Sequence, residues 1–244
     1  MIQKNGNPLN AKRISFYGDS LTRGSPGTSY FEILKRRLPE YELLNYGRGG
    51  DTVISLYRRV KNLQLDKPSD IVFLWVGTND VFVKISGSYP VFKTLVNQPW
   101  ARNPEEFERY YRITLDILCQ HANKVITVPP LFMGEDVNSR WNHELEELSR
   151  IIEQVSDSYT KVKYLNLRKI VFPKLNGKKP SVYLPTSLTR IALDTLLLKQ
   201  KEQIDKQSIE RGLIFTLDGV HLNNIGAEIV AESFLETIKR FEKQ

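Results

Sequence analysis

Five short apolar runs punctuate the chain, at Ile14–Tyr17, Tyr41–Tyr46, Ile71–Val76, Val125–Val128 and Val162–Leu167. Several are continuous rather than alternating, which is the pattern of strands covered on both faces. Between them, apolar positions recur three and four apart. "SYFEILKRRL" puts Phe31, Leu34 and Leu38 on one side of a predicted helix. "PEEFERYYRITLDILCQHA" carries Phe107, Tyr110, Tyr111, Thr114, Leu115 and Leu118 at helical spacing. Asn103 is its predicted N-cap and Pro104 its first helical residue. "NHELEELSRIIEQVSDSY" repeats the pattern with Leu145, Leu148, Ile151, Ile152 and Val155, and "NNIGAEIVAESFLETIKRFEKQ" closes the chain.

Strands alternating with helices predict an α/β fold: a parallel sheet with helices on both faces. Ligands of such sheets bind beyond the carboxyl ends of the strands. With no internal repeat and no linker, residues 1–244 read as a single domain. Two stretches interrupt the alternation, Val81–Arg102 and Lys169–Thr216. Connections of that length are unusual in a compact domain, so both read as insertions. The second predicts a helix of its own in "SLTRIALDTLLLKQKEQIDKQSIERG", ending near Gly212.

Composition alters this picture little. Hydrophobic residues at 41% and charged residues at 26% are ordinary for a globular protein. No run of 18 apolar residues exists to span a membrane. The opening "MIQKNGNPLNAKR" lacks the apolar stretch of a secretory signal, so a cytoplasmic location is expected. The one cysteine, Cys119, has no partner for an internal disulfide and reads as a packed thiol on a helix face. The net charge of +7 is uneven. Lys161, Lys163, Arg168, Lys169, Lys174, Lys178 and Lys179 fall between Lys161 and Pro180 with no acidic residue among them. Without interleaved aromatic residues the run does not read as a nucleic-acid surface, and a solvated strand edge and loop is the expectation.

Candidate chemistry narrows to a few residues. Of the three histidines, His121 closes a helix and His143 opens one at an exposed position, while His221 lies in "TLDGVHLNNIG". Asp218, three residues earlier, is placed to accept its Nδ1 hydrogen and leave Nε2 as a base. A serine hydroxyl is a poor nucleophile until a base takes its proton. In "RISFYGDSLTRG", Ser20 sits between a strand and a helix, where backbone N–H groups point into the site. Asp19 beside it is read as a loop-stabilising acceptor. "NYGRGGDTV" and "LWVGTNDV" follow the second and third strands. Gly49 and Gly50 allow close backbone approach, Asp51 or Thr52 is placed to cap the next helix, and Asn79 carries an amide on a tight corner. In a parallel sheet these four places converge.

The same four stretches resemble signature blocks of the SGNH hydrolases, the GDSL esterase/lipase family. "FYGDSLTRG" resembles the first, with Ser20 at the nucleophile position. "YGRGGDTV" resembles the second, with Gly50, and "VGTNDV" the third, with Asn79. "DGVHLNNIG" resembles the fifth, with Asp218 and His221. The resemblance spans Gly18 to Gly226. It implies a three-layer α/β/α sandwich, flavodoxin-like, with a five-stranded parallel sheet of order 2-1-3-4-5. It also implies hydrolysis of esters or thioesters with small to medium acyl groups. Ser20, Asp218 and His221 would be catalytic, and Ser20, Gly50 and Asn79 would form the oxyanion hole. No Gly-x-Ser-x-Gly elbow is present.

Neither metal nor organic cofactor is called for. The expected substrate is a small-molecule or carbohydrate ester, possibilities that include an O-acetylated sugar. Three other readings stand beside it. One is acyl transfer to a sugar hydroxyl, and another a non-catalytic binding module, which the intact site residues oppose. The third is a lysophospholipase or thioesterase at a membrane surface, less favoured. Its docking helix would present Leu188, Ile191, Ala192, Leu196 and Leu198, with Lys199 and Lys201 beside them.

Overall fold

The computed structural model describes residues 11–62, 64, 66–85, 87–175, 181–185 and 200–242. Five parallel strands form one sheet in the order β2-β1-β3-β4-β5. They are β1 (Arg13–Gly18), β2 (Glu42–Gly47), β3 (Ser69–Trp75), β4 (Ala122–Val128) and β5 (Val162–Tyr164). In register, Gly18 pairs with Gly47 on one side and Trp75 on the other, and Trp75 pairs with Val128. Four strands therefore end level, and the loops after them share one edge.

Each face of the sheet has its own apolar layer. Ile14 and Phe16 of β1 and Ile71, Phe73 and Trp75 of β3 face α2 (Tyr30–Arg37) and the C-terminal helix Asn224–Glu242. Phe16 stacks on Phe73 at 5.0 Å between ring centroids, and Phe234 stacks on Phe73 at 4.5 Å. Truncating such a buried ring costs about 3–5 kcal/mol. On the opposite face, Tyr17, Val72 and Leu74 meet α3 (Val53–Val60), α6 (Pro104–Gln120) and α7 (Arg140–Asp157). The result is the expected three-layer arrangement.

Helix starts follow the sequence. Thr52 caps α3 in a reciprocal box with Ser55. Asn103 accepts from the Glu106 N–H, with Pro104 next. His121 is the C-cap of α6 and His143 is exposed. Cys119 is half-buried, and burial pushes its thiol pKa up.

Two expectations are corrected. The run at Val162–Leu167 is a strand only to Tyr164, because Asn166 caps α8 (Leu167–Val171). The Leu165 N–H still bonds the Thr127 carbonyl at 2.9 Å. β2, an edge strand, is half-exposed. In the stretch Val81–Arg102 the described residues carry the end of α4 (Thr78–Phe82) and all of α5 (Ser88–Leu95). Finally, the basic run is not wholly solvated. Arg168 is buried, donating to Glu146 at 2.9 Å, to the Leu131 carbonyl at 2.7 Å and to the Asn142 carbonyl at 3.2 Å. Of the helix expected to end near Gly212, the described part is the helix Lys201–Glu210, with Gly212 just beyond it. Leu188, Ile191, Ala192, Leu196, Leu198 and Lys199 lie outside the described residues, as do Lys178 and Lys179. No helix of the described residues is long and apolar enough to cross a membrane.

Candidate active site

Asp19 ends β1 by capping the one-turn α1 (Ser20–Arg23), its Oδ1 accepting the Leu21 N–H at 2.9 Å. This turns the Ser20 hydroxyl toward residues that arrive from the far end of the sequence. Ser20 Oγ lies 2.9 Å from His221 Nε2, and His221 Nδ1 lies 2.7 Å from Asp218 Oδ2. Asp218 Oδ1 accepts the backbone N–H groups of Val220 at 3.0 Å and His221 at 2.8 Å. With its carboxylate on Nδ1–H, the imidazole keeps Nε2 as the acceptor facing the serine. Burial opposes the Asp218 charge, but His221 and these bonds outweigh it and hold the carboxyl below its usual pKa. Ser20, Asp218 and His221, separated by two hundred positions, are thus brought into one hydrogen-bonded chain.

The loop bearing Asp218 is itself anchored. Glu135, in the segment after β4, is buried. Its carboxylate accepts from the N–H groups of Ile214, Phe215 and Thr216 at 2.6, 2.8 and 2.9 Å, and from Thr216 Oγ1 at 2.8 Å. No motif marks Glu135 in the sequence.

The three expected oxyanion donors gather around Ser20 in one cleft of about 430 Å³, lined by Ser20, Gly50, Asn79 and His221 among others. Small-molecule sites span roughly 300–1,000 Å³. Among the described residues, neither the Ser20 N–H nor the Gly50 N–H donates to a protein group. Gly50 takes φ +77°, a backbone shape that disfavours a side chain. Asn79 departs from the expectation in one respect. Its Nδ2 donates to Asp19 Oδ2 at 3.2 Å and to the Asp51 carbonyl at 3.1 Å, so both amide hydrogens tie loops together.

A buried charged cluster that the motifs only partly reveal meets the cleft at Lys93. Burial raises Asp19 to about 6, against the Leu21 N–H bond and the nearby His221. Burial raises Asp80 to about 7, against N–H bonds from Ala101 at 3.1 Å and Val53 at 2.9 Å. Asp51 is also pushed up by burial, against Arg59, whose Nε donates to it at 2.7 Å. Lys93 of α5, 1% exposed, is the cation of the group, and burial lowers its pKa to about 8. Sequence reading missed Lys93 and Gln98, both in the stretch read as an insertion.

Several solved structures share this architecture. An acetyl xylan esterase, AlAXEase, matches with TM-score 0.64 and 24% identity, over 93% of this chain and 99% of that one. Axe2, an acetylxylan esterase from Geobacillus stearothermophilus, matches with TM-score 0.63 and 18% identity, over 92% and 93%. LAE5, an alpha/beta hydrolase enzyme from the metagenome of Lake Arreo, Spain, matches with TM-score 0.63 and 17% identity, over 93% and 94%. No curated protein matches the chain significantly. Residues 16–229, from the core of β1 into the last helix, match the sequence profile of the GDSL-like lipase/acylhydrolase family. The chain therefore belongs to the GDSL-like lipase/acylhydrolase family and is an ester-hydrolysing serine enzyme.

Proposed function

We propose that Ser20, His221 and Asp218 are the nucleophile, the general base and its orienting carboxylate, and that the substrate is a short-chain ester such as an O-acetylated carbohydrate. The observation that carries this reading is the 2.9 Å approach of Ser20 Oγ to His221 Nε2, with Nδ1 held on Asp218. His221 takes the hydroxyl proton as Oγ bonds to the ester carbonyl carbon. The carbonyl oxygen becomes an anion among the Ser20 N–H, the Gly50 N–H and the Asn79 amide. One of the two long Asn79 contacts, to Asp19 or to Asp51, is given up to it; catalytic hydrogen bonds often tighten only with substrate in place. The tetrahedral centre then collapses. The carbon–alkoxide bond breaks, the alkoxide takes the proton from His221, and the acyl group stays on Ser20. Water, deprotonated by the same imidazole, releases the acid and restores the serine.

The carbohydrate assignment is supported by likeness to acetyl xylan esterases and by the cleft. Its walls pair apolar Phe82 and Val220 near the serine with the cations Arg23 and Arg48. A second reading, a lipase working at a lipid surface, draws on Val91 and Leu95 of α5, which are 61% and 79% exposed beside the cleft.

A fluorophosphonate probe tests the assignment. It should label Ser20 in the native protein and nothing in Ser20→Ala, and His221→Ala should lose p-nitrophenyl acetate hydrolysis. Label on another residue, or unchanged turnover in His221→Ala, refutes the roles given. A p-nitrophenyl ester series from acetate to palmitate separates the substrates. Fastest turnover on acetate supports deacetylation; fastest turnover beyond eight carbons supports the lipase.

A further inference from the structure

Lys93 spends a charge in a place where packing alone has no use for one. Its ammonium, buried on α5, donates to the Gly50 carbonyl and, at 3.1 Å, to Gln98 Oε1. Gln98 is buried too, and its Nε2 donates at 3.0 Å to the Gly49 carbonyl and at 3.5 Å to Asp51 Oδ1. A peptide unit is planar and trans, so its C=O and N–H point in opposite directions. The Gly49 carbonyl and the Gly50 N–H belong to one such unit. A donor fixed on that carbonyl therefore turns the N–H away from Gln98, and Gly49, Gly50, Lys93 and Gln98 all line the cleft with Ser20.

We propose that Lys93 and Gln98 are positioning residues for the oxyanion hole. Their ammonium–amide–peptide chain aims the Gly50 N–H at the developing negative charge and strengthens it as a donor. The proposal rests on the roles given above to Ser20 and Gly50 and goes beyond them to the residues that hold the hole in shape. Hydrogen bonds in series polarise one another, and the polarisation here runs from a cation toward the place where an anion forms. A residue that merely fastened the 81–102 insertion would have no effect specific to the transition state.

The charge that starts this chain is titratable. Asp80 of α4, Asp19 at the end of β1 and Asp51 after β2 all favour the ammonium, while burial opposes it. The Tyr89 ring lies 5.9 Å away on the same helix. Arg59 and Arg48 face Asp51 and offset part of its charge. The balance leaves Lys93 ready to lose its proton in mildly alkaline solution.

The test uses steady-state p-nitrophenyl acetate hydrolysis between pH 6 and 9.5 for the native protein, Lys93→Met, Lys93→Arg and Gln98→Leu. Phenylboronic acid, which forms a tetrahedral anion on an active serine, is the inhibitor. Lys93→Met and Gln98→Leu should each lower kcat by about 10- to 100-fold, below the roughly 10²–10³-fold cost of losing a donor outright, with KM changed less than about threefold. The boronate inhibition constant should rise by the same factor as kcat falls. The native protein should lose kcat on an alkaline limb near pH 8, absent in Lys93→Met and moved upward in Lys93→Arg. Unchanged kcat and boronate affinity in a folded variant, or an alkaline limb that survives Lys93→Met, overturns the proposal. If Lys93→Met melts early, Gln98→Leu and the native and Lys93→Arg pH profiles decide it. Loss of all boronate sensitivity in the native protein, or activity retained by Ser20→Ala, would instead refute the site assignment beneath it.

Discussion

Thr216 gives both its N–H and its hydroxyl to one oxygen of Glu135, at 2.9 and 2.8 Å, two residues before Asp218. The segment after β4 thereby fixes the height and direction of the loop that carries the imidazole and its carboxylate. A carboxylate suits this place because it offers only acceptors to four donors.

Glu135→Gln should be costly despite its near-identical shape. Its amide NH₂ has to face either the Ile214 N–H or the Phe215–Thr216 donors, leaving buried donors opposed. The expected loss is about 1–3 kcal/mol of stability, with a fall in kcat and no loss of fluorophosphonate labelling at saturation. Chemical denaturation and a labelling time course check the two parts separately.

Gly50→Ala should slow turnover more than it destabilises the fold. A Cβ there would meet Gln98 Oε1 at 2.7 Å and Lys93 Nζ at 2.9 Å, at a residue held at φ +77°. The left-handed backbone costs a non-glycine residue about 1–2 kcal/mol. Displacing the peptide should lower kcat by at least about tenfold, and by up to the 10²–10³-fold of a lost donor. Asn79→Ala should reach the same range. A kcat within twofold of the native value in either variant removes that residue from the oxyanion hole.

Stability should fall as the pH rises from about 4 to about 7. Burial raises Asp19 to about 6 and Asp80 to about 7, from an ordinary value of 3.8. In that window the unfolded chain has released protons that the folded protein still holds, so raising the pH favours unfolding. Calorimetry across the window should show Tm declining, with a shallower decline in Asp80→Asn. A Tm that climbs steadily from pH 4 to 7 contradicts these raised values.

The parts of the molecule legible from sequence are those governed by local rules. The continuous apolar runs placed the first four strands, and Asn103–Pro104 and Thr52 announced their helices through capping chemistry. The candidate site residues Ser20, Gly50, Asn79, Asp218 and His221 each sit in a short block at a strand end or before the last helix, which is what singles them out as candidates. Lys93 and Gln98 were not singled out, because "YPVFKTLVNQPW" gives them no local signature. A lysine on an amphipathic helix ordinarily means solvent, and its burial depends on the Gly50 carbonyl and on Asp19, Asp51 and Asp80, which other elements bring to it. Arg168 escaped for the same reason, since Glu146 and the Leu131 carbonyl meet it only after folding. Val162–Leu167 was overextended because an apolar run does not show where Asn166 stops the strand and begins a helix.

Phe92 and Lys93 are neighbours on α5. Both line the cleft, and Lys93 donates from there to the Gly50 carbonyl. On the role proposed for Lys93, selectivity and speed are mechanically geared together. Rotating or resizing this short helix to admit a different acyl chain also turns the machinery that neutralises the reacting oxygen. New substrate preferences in this protein should arise more readily from the Ser25–Pro26 side of the cleft, whose wall does not belong to α5.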